Sequence, residues 1–460
     1  MGRCCGVPQY KGSPVRPPPR AMAAAALLLG VLSLLLLSLL SRLSRRGDGR
    51  GPRWGALHLL HPQGALHLSR LARRHGPMLR LRAAGREVLV PSSVATIREA
   101  LVRHWGDWLG RPHSYLGSLV SQGGRDLALG DPCPGWRRQR GAVRGALARA
   151  GGRLGPLLWL QGQELCEELR SYGEAPLDPF EVFTFHTCST IARLLFGELA
   201  LPNPGLRKLL QLVQHRDMFV ETQIQRHQAC PSPPPDTVLG TLLGRNHGAR
   251  ECPLSPPRLH MALVDLFIGG TETTAAALGW AVAFLLHRPE LQARLRAELQ
   301  GAQGPPGPGD VGRLPLLQAT ISETLRLRPP APLALPHCAL RHTSLGGLPV
   351  AAGTVLIPNL LAAQQDPDIW QHPEVFLPER FLAPGAPSRS LLPFGCGARS
   401  CPGEGLARAE LFVFLGLILR EFRLEPGPEG LPGLRGSPGT VLRCPSFRLR
   451  MVPCQPPGLP

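Results

Sequence analysis

Ten residues near the carboxyl end constrain this chain more than any others: Phe394-Gly395-Cys396-Gly397-Ala398-Arg399-Ser400-Cys401-Pro402-Gly403. They set a thiol in a glycine-rich loop, two residues after an arginine and at the mouth of an apolar helical pattern running from Gly403 to Glu421. Glycine lets backbone N–H groups approach a sulfur, Arg399 offers charge to the carboxylate side chain of a haem, and Cys401 supplies an electron-rich axial ligand to its iron. A cysteine taken alone is usually a small buried hydrophobe. The joint spacing F-x-x-G-x-R-x-C-x-G points instead to ligation, and a thiolate on iron favours O–O bond cleavage.

The chain has 460 residues, 43% of them hydrophobic, so it can bury a large core. Length alone suggests about three domains of ordinary size. Net charge is +19, yet only Lys11 and Lys208 among the 51 basic residues are lysine, and Gly, Pro and Ala are abundant as well. The arginines are dispersed and no aromatic-rich basic platform accompanies them, which argues against nucleic acid as a partner. The twelve cysteines form no C-x-x-C pair and no regular framework, so neither a zinc cluster nor a disulfide scaffold is expected. Cys133, Cys166, Cys188, Cys338 and Cys444 read as packing residues.

Residues 21–41 are uncharged and mostly Ala and Leu. As a helix they span about 31 Å, close to the ~30 Å hydrocarbon thickness of a bilayer. A membrane anchor fits this stretch better than a cleaved signal peptide, whose apolar core is shorter. Arg42, Arg45, Arg46, Arg50 and Arg53 follow, so the positive-inside rule puts the rest of the chain in the cytosol. Arg3, Lys11, Arg16 and Arg20 compete from the other side, and a start at Met22 instead of Met1 would make the asymmetry clean. The expected organisation is an extension at 1–20, an anchor at 21–41, a linker at 42–55, a catalytic domain at 56–454 and a tail at 455–460.

Downstream, 78–82 and 87–90 alternate like strands, and 94–102 turns helical. Helical spacing recurs at 136–150, 154–169 and 180–196, with Pro202-Asn203-Pro204-Gly205 as a stop. Loops are expected at 230–235 and 251–257, then one long apolar helix at 259–286, too polar at its middle for a membrane span. Helices at 289–299 and 314–327 precede strands and turns at 345–358.

The long helix carries Gly269-Gly270-Thr271-Glu272-Thr273-Thr274, where two glycines should loosen the helical ladder and leave room for oxygen and water. Glu272 beside Thr273 suits a proton relay, since reductive O–O cleavage consumes two protons. Glu323 and Arg326, three apart, share a helix face. Such pairs are often solvated and weak, but the apolar surroundings and the downstream Pro378-Glu379-Arg380-Phe381 suggest a buried Glu323, Arg326 and Arg380 network behind the cysteine loop.

With these motifs in this order, the chain resembles the haem-thiolate monooxygenases of the cytochrome P-450 superfamily over nearly everything after Ser41. The resemblance implies one mainly α domain with a small β-rich lobe rather than three domains, haem b as cofactor, and electrons from NADPH through a membrane-bound reductase. By motif, Trp136 and Arg140 of W-x-x-x-R, Arg111 of Trp108-Leu109-Gly110-Arg111-Pro112, His337 of Leu335-Pro336-His337, and Arg399 resemble the haem-propionate contacts. The strings 262–274, 332–337, 394–401 and 406–413 resemble steroid-hydroxylating members, implying hydroxylation of progesterone and 17-hydroxyprogesterone at C21 in the endoplasmic reticulum membrane. The exposed-looking Arg137, Arg138 and Arg144 suit either an acidic reductase or plain solvent.

The pattern departs from those members at two places. Between Gly197 and Pro202 only a few residues stand where they carry a pocket-roofing helix, which implies an incompletely assembled gene or a reshaped, inactive pocket. At Gln225-Arg226-His227, Gln225 takes the register of an arginine that resembles a partner of the steroid ring ketone. Arg226 comes one residue late, a turn of about 100° on a helix, and either reaches the ketone or faces solvent.

Overall fold

The computed structural model describes residues 58–454 apart from 60, 62, 84, 198–212, 231–236, 245–253, 438 and 440. The expected extension, anchor, linker, tail and shortened segment after Gly197 therefore lie outside the described residues, as do the 202–205 stop and most of the two loops.

The fold is mainly helical with small sheets. Its principal helices are α1 Gly64–His75, α2 Val94–Arg98, α3 Pro134–Ala150, α4 Leu154–Ser171, α5 Pro179–Phe196, α6 Val213–Ala229, α7 Pro256–Leu286, α8 Pro289–Gly301, α9 Pro315–Leu327 and α10 Glu404–Glu421. Five of them open on proline, which costs no hydrogen bond in a first turn and arrives with helical φ already set. That is why α3, α5 and α7 begin one to three residues before the starts expected at 136, 180 and 259. Asp178 caps α5, accepting from Phe180 N at 2.9 Å. Cys133, expected as packing, caps α3 through its sulfur, which accepts from Trp136 N at 3.3 Å. Cys166 and Cys188 are buried thiols, and no disulfide forms among the described residues.

Strands β1 Met78–Ala83 and β2 Arg86–Pro91 pair antiparallel from Met78↔Pro91 to Ala83↔Arg86. Later in the chain come β3 His337–Cys338, β4 Thr343–Leu345, β5 Leu348–Val350, β6 Val355–Leu356, β7 Phe422–Pro426 and β8 Leu449–Pro453. The main sheet runs β1-β2-β6-β3, β6 lying parallel to β2, while β4-β5 and β7-β8 are separate hairpins. The helix expected at 94–102 splits into α2 and a π-turn at Glu99–Arg103. Helices α1 and α6 and the β7-β8 pairing were not foreseen, although α1 buries Ala65, Leu68, Leu71 and Ala72 at helical spacing.

Helix α7 is the axis of the core. It is long and apolar enough to cross a bilayer, but most of its apolar window is buried inside the protein. It packs on α5, α9 and α10, and Trp280 is fully buried with its Nε1 donating to Leu442 O at 2.8 Å. Phe284 stacks on Phe376 with ring centroids 4.3 Å apart; side chains of this size each contribute about 1.5–3 kcal/mol through burial. The axis thus holds α10, and the loop before it, against a rigid interior.

Candidate functional site

The cysteine loop is shaped by two glycines in left-handed conformation, Gly395 at φ 71° and Gly397 at φ 75°. At Gly397 glycine is required twice over, because a Cβ there would run into the carbonyl oxygen of Leu101 in the π-turn. The chain then doubles back: Cys401 N donates to Phe394 O at 3.0 Å, and Ala407 N donates to Gly403 O at 2.9 Å as α10 begins. Cys401 is exposed, yet enough protein surrounds it that desolvation raises its thiol pKa, opposed by a hydrogen bond from the Gly403 amide and by Arg140. The protein alone therefore keeps Cys401 as a thiol, and a cationic centre is what would convert it to thiolate.

Beside the loop the fold gathers Arg111, Arg140, Arg399, Trp136 and His337. Trp136 Nε1 donates to Leu127 O at 3.0 Å, and the Arg399 guanidinium lies 4.3 Å over the Trp136 ring. Arg399 donates to Leu109, Leu127 and Gly130 carbonyls at 2.9, 3.2 and 2.7 Å. Arg111 donates to Ala128, Leu335 and Pro336 carbonyls at 2.7, 3.0 and 2.7 Å, and Arg140 reaches Ser400 O at 2.6 Å. His337 Nδ1 lies 2.7 Å from Trp108 O.

None of these three arginines forms an ion pair with a carboxylate among the described residues. Burial, helped by repulsion between the arginines and opposed by Asp126 and Asp131, brings Arg111 down to about 9 and Arg399 to about 10. Burial, with Arg111 beside it, pushes His337 down to about 3, so its imidazole is neutral at physiological pH. Asp126 and Asp131 offset only part of the cost of holding that positive charge out of water. A soft sulfur beside guanidiniums that no carboxylate pairs with directly fits haem: iron on Cys401, propionate carboxylates on the cationic wall.

On α7 the two glycines play different parts, and the helix runs unbroken through both. The continuous ladder corrects the expectation that the glycines loosen it. Gly270 lets Ile191 of α5 pack against the backbone, where an added Cβ would stand 2.9 Å from Ile191 Cγ1, whereas beyond Gly269 the space is open. Thr273 Oγ1 donates to Gly269 O at 2.7 Å. Glu272 forms an ion pair with Arg443, whose guanidinium lies 4.5 Å over the Phe180 ring.

Glu323, Arg326 and Arg380 come together out of water. Arg326 grips Glu323 with two nitrogens at 2.7 and 2.9 Å, and Arg380 Nε reaches the same carboxylate at 3.1 Å. The leftover donors end on carbonyls: Arg326 on Gln364 and Pro373, Arg380 on Gln371 and His372. The Leu377 amide donates to Glu323 at 2.8 Å.

Gln225 and Arg226 both lie on the exposed face of α6, Gln225 donating to Glu221 at 3.1 Å, while Gln223 and His227 turn inward. The 100° step between neighbours carries neither expected ketone partner into the interior. Arg137, Arg138 and Arg144 are exposed on α3.

Sequence reading missed half-buried Asp265 and two buried polar residues, Glu410 and Gln364. Asp265 of α7 accepts from Leu127 N at 2.5 Å, and burial pushes its carboxyl up to about 8. Glu410 of α10, also up to about 8 through burial, bonds Thr190 of α5. Gln364 lies behind the cysteine loop. Their common signal, a polar residue within an apolar run, is visible in Leu263-Val264-Asp265-Leu266 and Glu410-Leu411-Phe412.

Compared with known proteins, the chain matches the family described as Cytochrome P450 over residues 46–247 and 199–449. It is 41% identical to the steroid 21-hydroxylase of Felis catus, covering 87% of this chain and 91% of that one. It is 39% identical to that of Homo sapiens, covering 87% and 90%. Among solved structures, a zebra fish cytochrome P450 with progesterone is similar at TM-score 0.79 and 33% identity, covering 85% of this chain and 99% of that one.

Proposed function

The chain belongs to the cytochrome P450 family as a haem-dependent steroid monooxygenase, and we propose that it hydroxylates progesterone and 17-hydroxyprogesterone at C21. The observation that carries the reading is the Cys401 loop set beside three arginines that no carboxylate pairs with directly among the described residues, on a chain about 40% identical to proteins named for that position. Haem would supply oxygen activation once reduced, with electrons drawn from NADPH through a reductase.

The chain's own residues supply the rest. Cys401 would hold the iron, and Arg111, Arg140, Arg399, Trp136 and His337 would hold the carboxylate edge and exclude water from it. Gly403 N–H and Arg140 favour the anion but do not outweigh burial, so the iron would supply the charge that makes Cys401 a thiolate. Thr273 keeps its hydroxyl beside the open space at Gly269 and would pass protons there, with Glu272, paired to Arg443, as the acid behind it. Replacing Thr273 by Ala should then uncouple electron consumption from product. Exposed Arg137, Arg138 and Arg144 suit an acidic reductase face. With residues 21–41 as anchor, the site would work at the endoplasmic reticulum membrane, facing the cytosol.

The test is to incubate the full chain with reductase, NADPH and progesterone and to identify the product. The 21-hydroxy steroid supports the reading. Hydroxylation at another carbon replaces the regiochemistry but keeps the enzyme class. Retained haem with neither product nor a steroid-dependent low-spin to high-spin Soret change would mark a haem protein without turnover, the outcome implied by a truncated pocket roof.

A further inference from the structure

Gln364 stands just after the helical turn Leu360–Ala363 and is fully buried. Its side chain bonds in two directions. Oε1 accepts from Leu392 N at 2.8 Å, while Nε2 donates to the carbonyls of Leu325 and Arg326 at 3.3 and 3.2 Å. Those carbonyls belong to the last turn of α9, where helical partners run out. The backbone oxygen of Gln364 in turn accepts from Arg326 Nη1 at 2.8 Å.

Leu392 is the entry to the cysteine loop: Leu392 O accepts from Gly395 N at 3.0 Å, and two residues on Phe394 O accepts from Cys401 N at 3.0 Å. The other hydrogen bonds of the Glu323, Arg326 and Arg380 network among the described residues go to Gln371, His372, Pro373, Val375 and Leu377. None of these lies in the cysteine loop. We infer that Gln364 is the positioning residue that transmits the rigidity of that buried network to the loop, fixing the Cys401 sulfur through Leu392.

The chemistry explains why an amide stands here. One buried N–H needs an acceptor and two buried carbonyls need donors, and glutamine offers both from one planar group. An apolar residue would leave all three without partners, and each orphaned buried group is costly. The inference rests on Cys401 as the iron ligand.

The test compares Gln364→Met, similar in length but without strong donor or acceptor, with the wild-type full-length haem protein. The readout is how long the reduced carbon monoxide complex keeps its red-shifted, thiolate-type Soret band under mild denaturant. The Met variant should lose the band about tenfold faster, the scale of one orphaned buried amide. Gln364→Glu keeps an acceptor for Leu392 N–H but sets a second oxygen against the two α9 carbonyls, so it should not restore the lifetime, and full restoration overturns the link to the network. An unchanged lifetime in a Met variant with full haem content overturns the inference.

Should the Met variant fail to fold, amide hydrogen exchange on the wild-type protein decides. Leu392 N–H should be as protected as the amides of α9, and rapid exchange there overturns the inference. Absence of the thiolate band from the wild-type protein would instead defeat the ligand reading, while Leu392 exchange would still report on the Gln364 link.

Discussion

Behind Cys401 the Glu323 carboxylate is gripped by Arg326 and Arg380 with no solvent access, and every spare Arg326 donor finds a carbonyl. Along the outer face of α6, Gln225 and Arg226 stand in water, and Gln225 meets only Glu221 on its own helix. Both regions are helical and both carry arginine. They differ in what happens when a side chain is removed: in the first, a charge is stranded in a dry interior, and in the second, water fills the gap. Position is therefore enforced around the cysteine loop, whereas α6 tolerates change on its outer face.

The comparison would be broken most decisively at the loop itself. Cys401→Ala should abolish the thiolate-type band of the reduced carbon monoxide complex altogether, and its survival would show that another residue ligates the iron. Next in size, Glu323→Ala should destabilise the fold by about 3–5 kcal/mol, because it leaves two buried guanidiniums uncompensated. Denaturant unfolding monitored at haem and at tryptophan would check it.

Gly270→Ala should cost about 1–3 kcal/mol by forcing Ile191 away, while Gly269→Ala, with open space beyond it, should stabilise the helix by about 0.5–1 kcal/mol. Equal effects of the two on thermal stability would contradict the assignment of packing to one and cleft to the other. Glu410 sharpens the contrast through pH. Burial raises its folded pKa to about 8 from the ordinary 4.5, so between those values the native state holds a proton that the unfolded chain has lost. Stability contributed by the neutral acid should fall as pH rises through that window, by up to about 1.4 kcal/mol per unit. Glu410→Gln should flatten that slope in a series of unfolding curves.

The smallest effect belongs to α6: Arg226→Ala should shift stability by no more than about 0.5 kcal/mol. It should also leave the steroid-induced Soret change where it was. A large loss of steroid affinity would return Arg226 to the pocket and erase the difference between the regions.

Legibility followed the same divide. The cysteine loop could be read because its chemistry is local: Gly395 and Gly397 adopt conformations glycine favours, and Cys401 lies a fixed number of residues from each. The helices showed themselves by apolar period, with the larger misplacements of their starts, at α3 and α7, where proline preceded the first apolar residue. Arg226 was ambiguous because a single residue on a helix changes the face, and periodicity in α6 is weak. Gln364, Asp265 and Glu410 went unassigned because a buried or half-buried polar residue acquires its meaning from distant partners: Leu392 for the first, Leu127 for the second, Thr190 for the third.

What the sequence determined by itself was the family and the helical architecture, since both depend on residue type at short spacing. Only the tertiary structure decided that Gly270 packs while Gly269 stays open, that Glu272 pairs with Arg443, and that Gln364 joins the ion-pair network to the loop. Those contacts join residues up to some 170 positions apart in the chain. Burial and hydrogen-bond satisfaction at such separations are properties of how helices pack, and no local pattern encodes them.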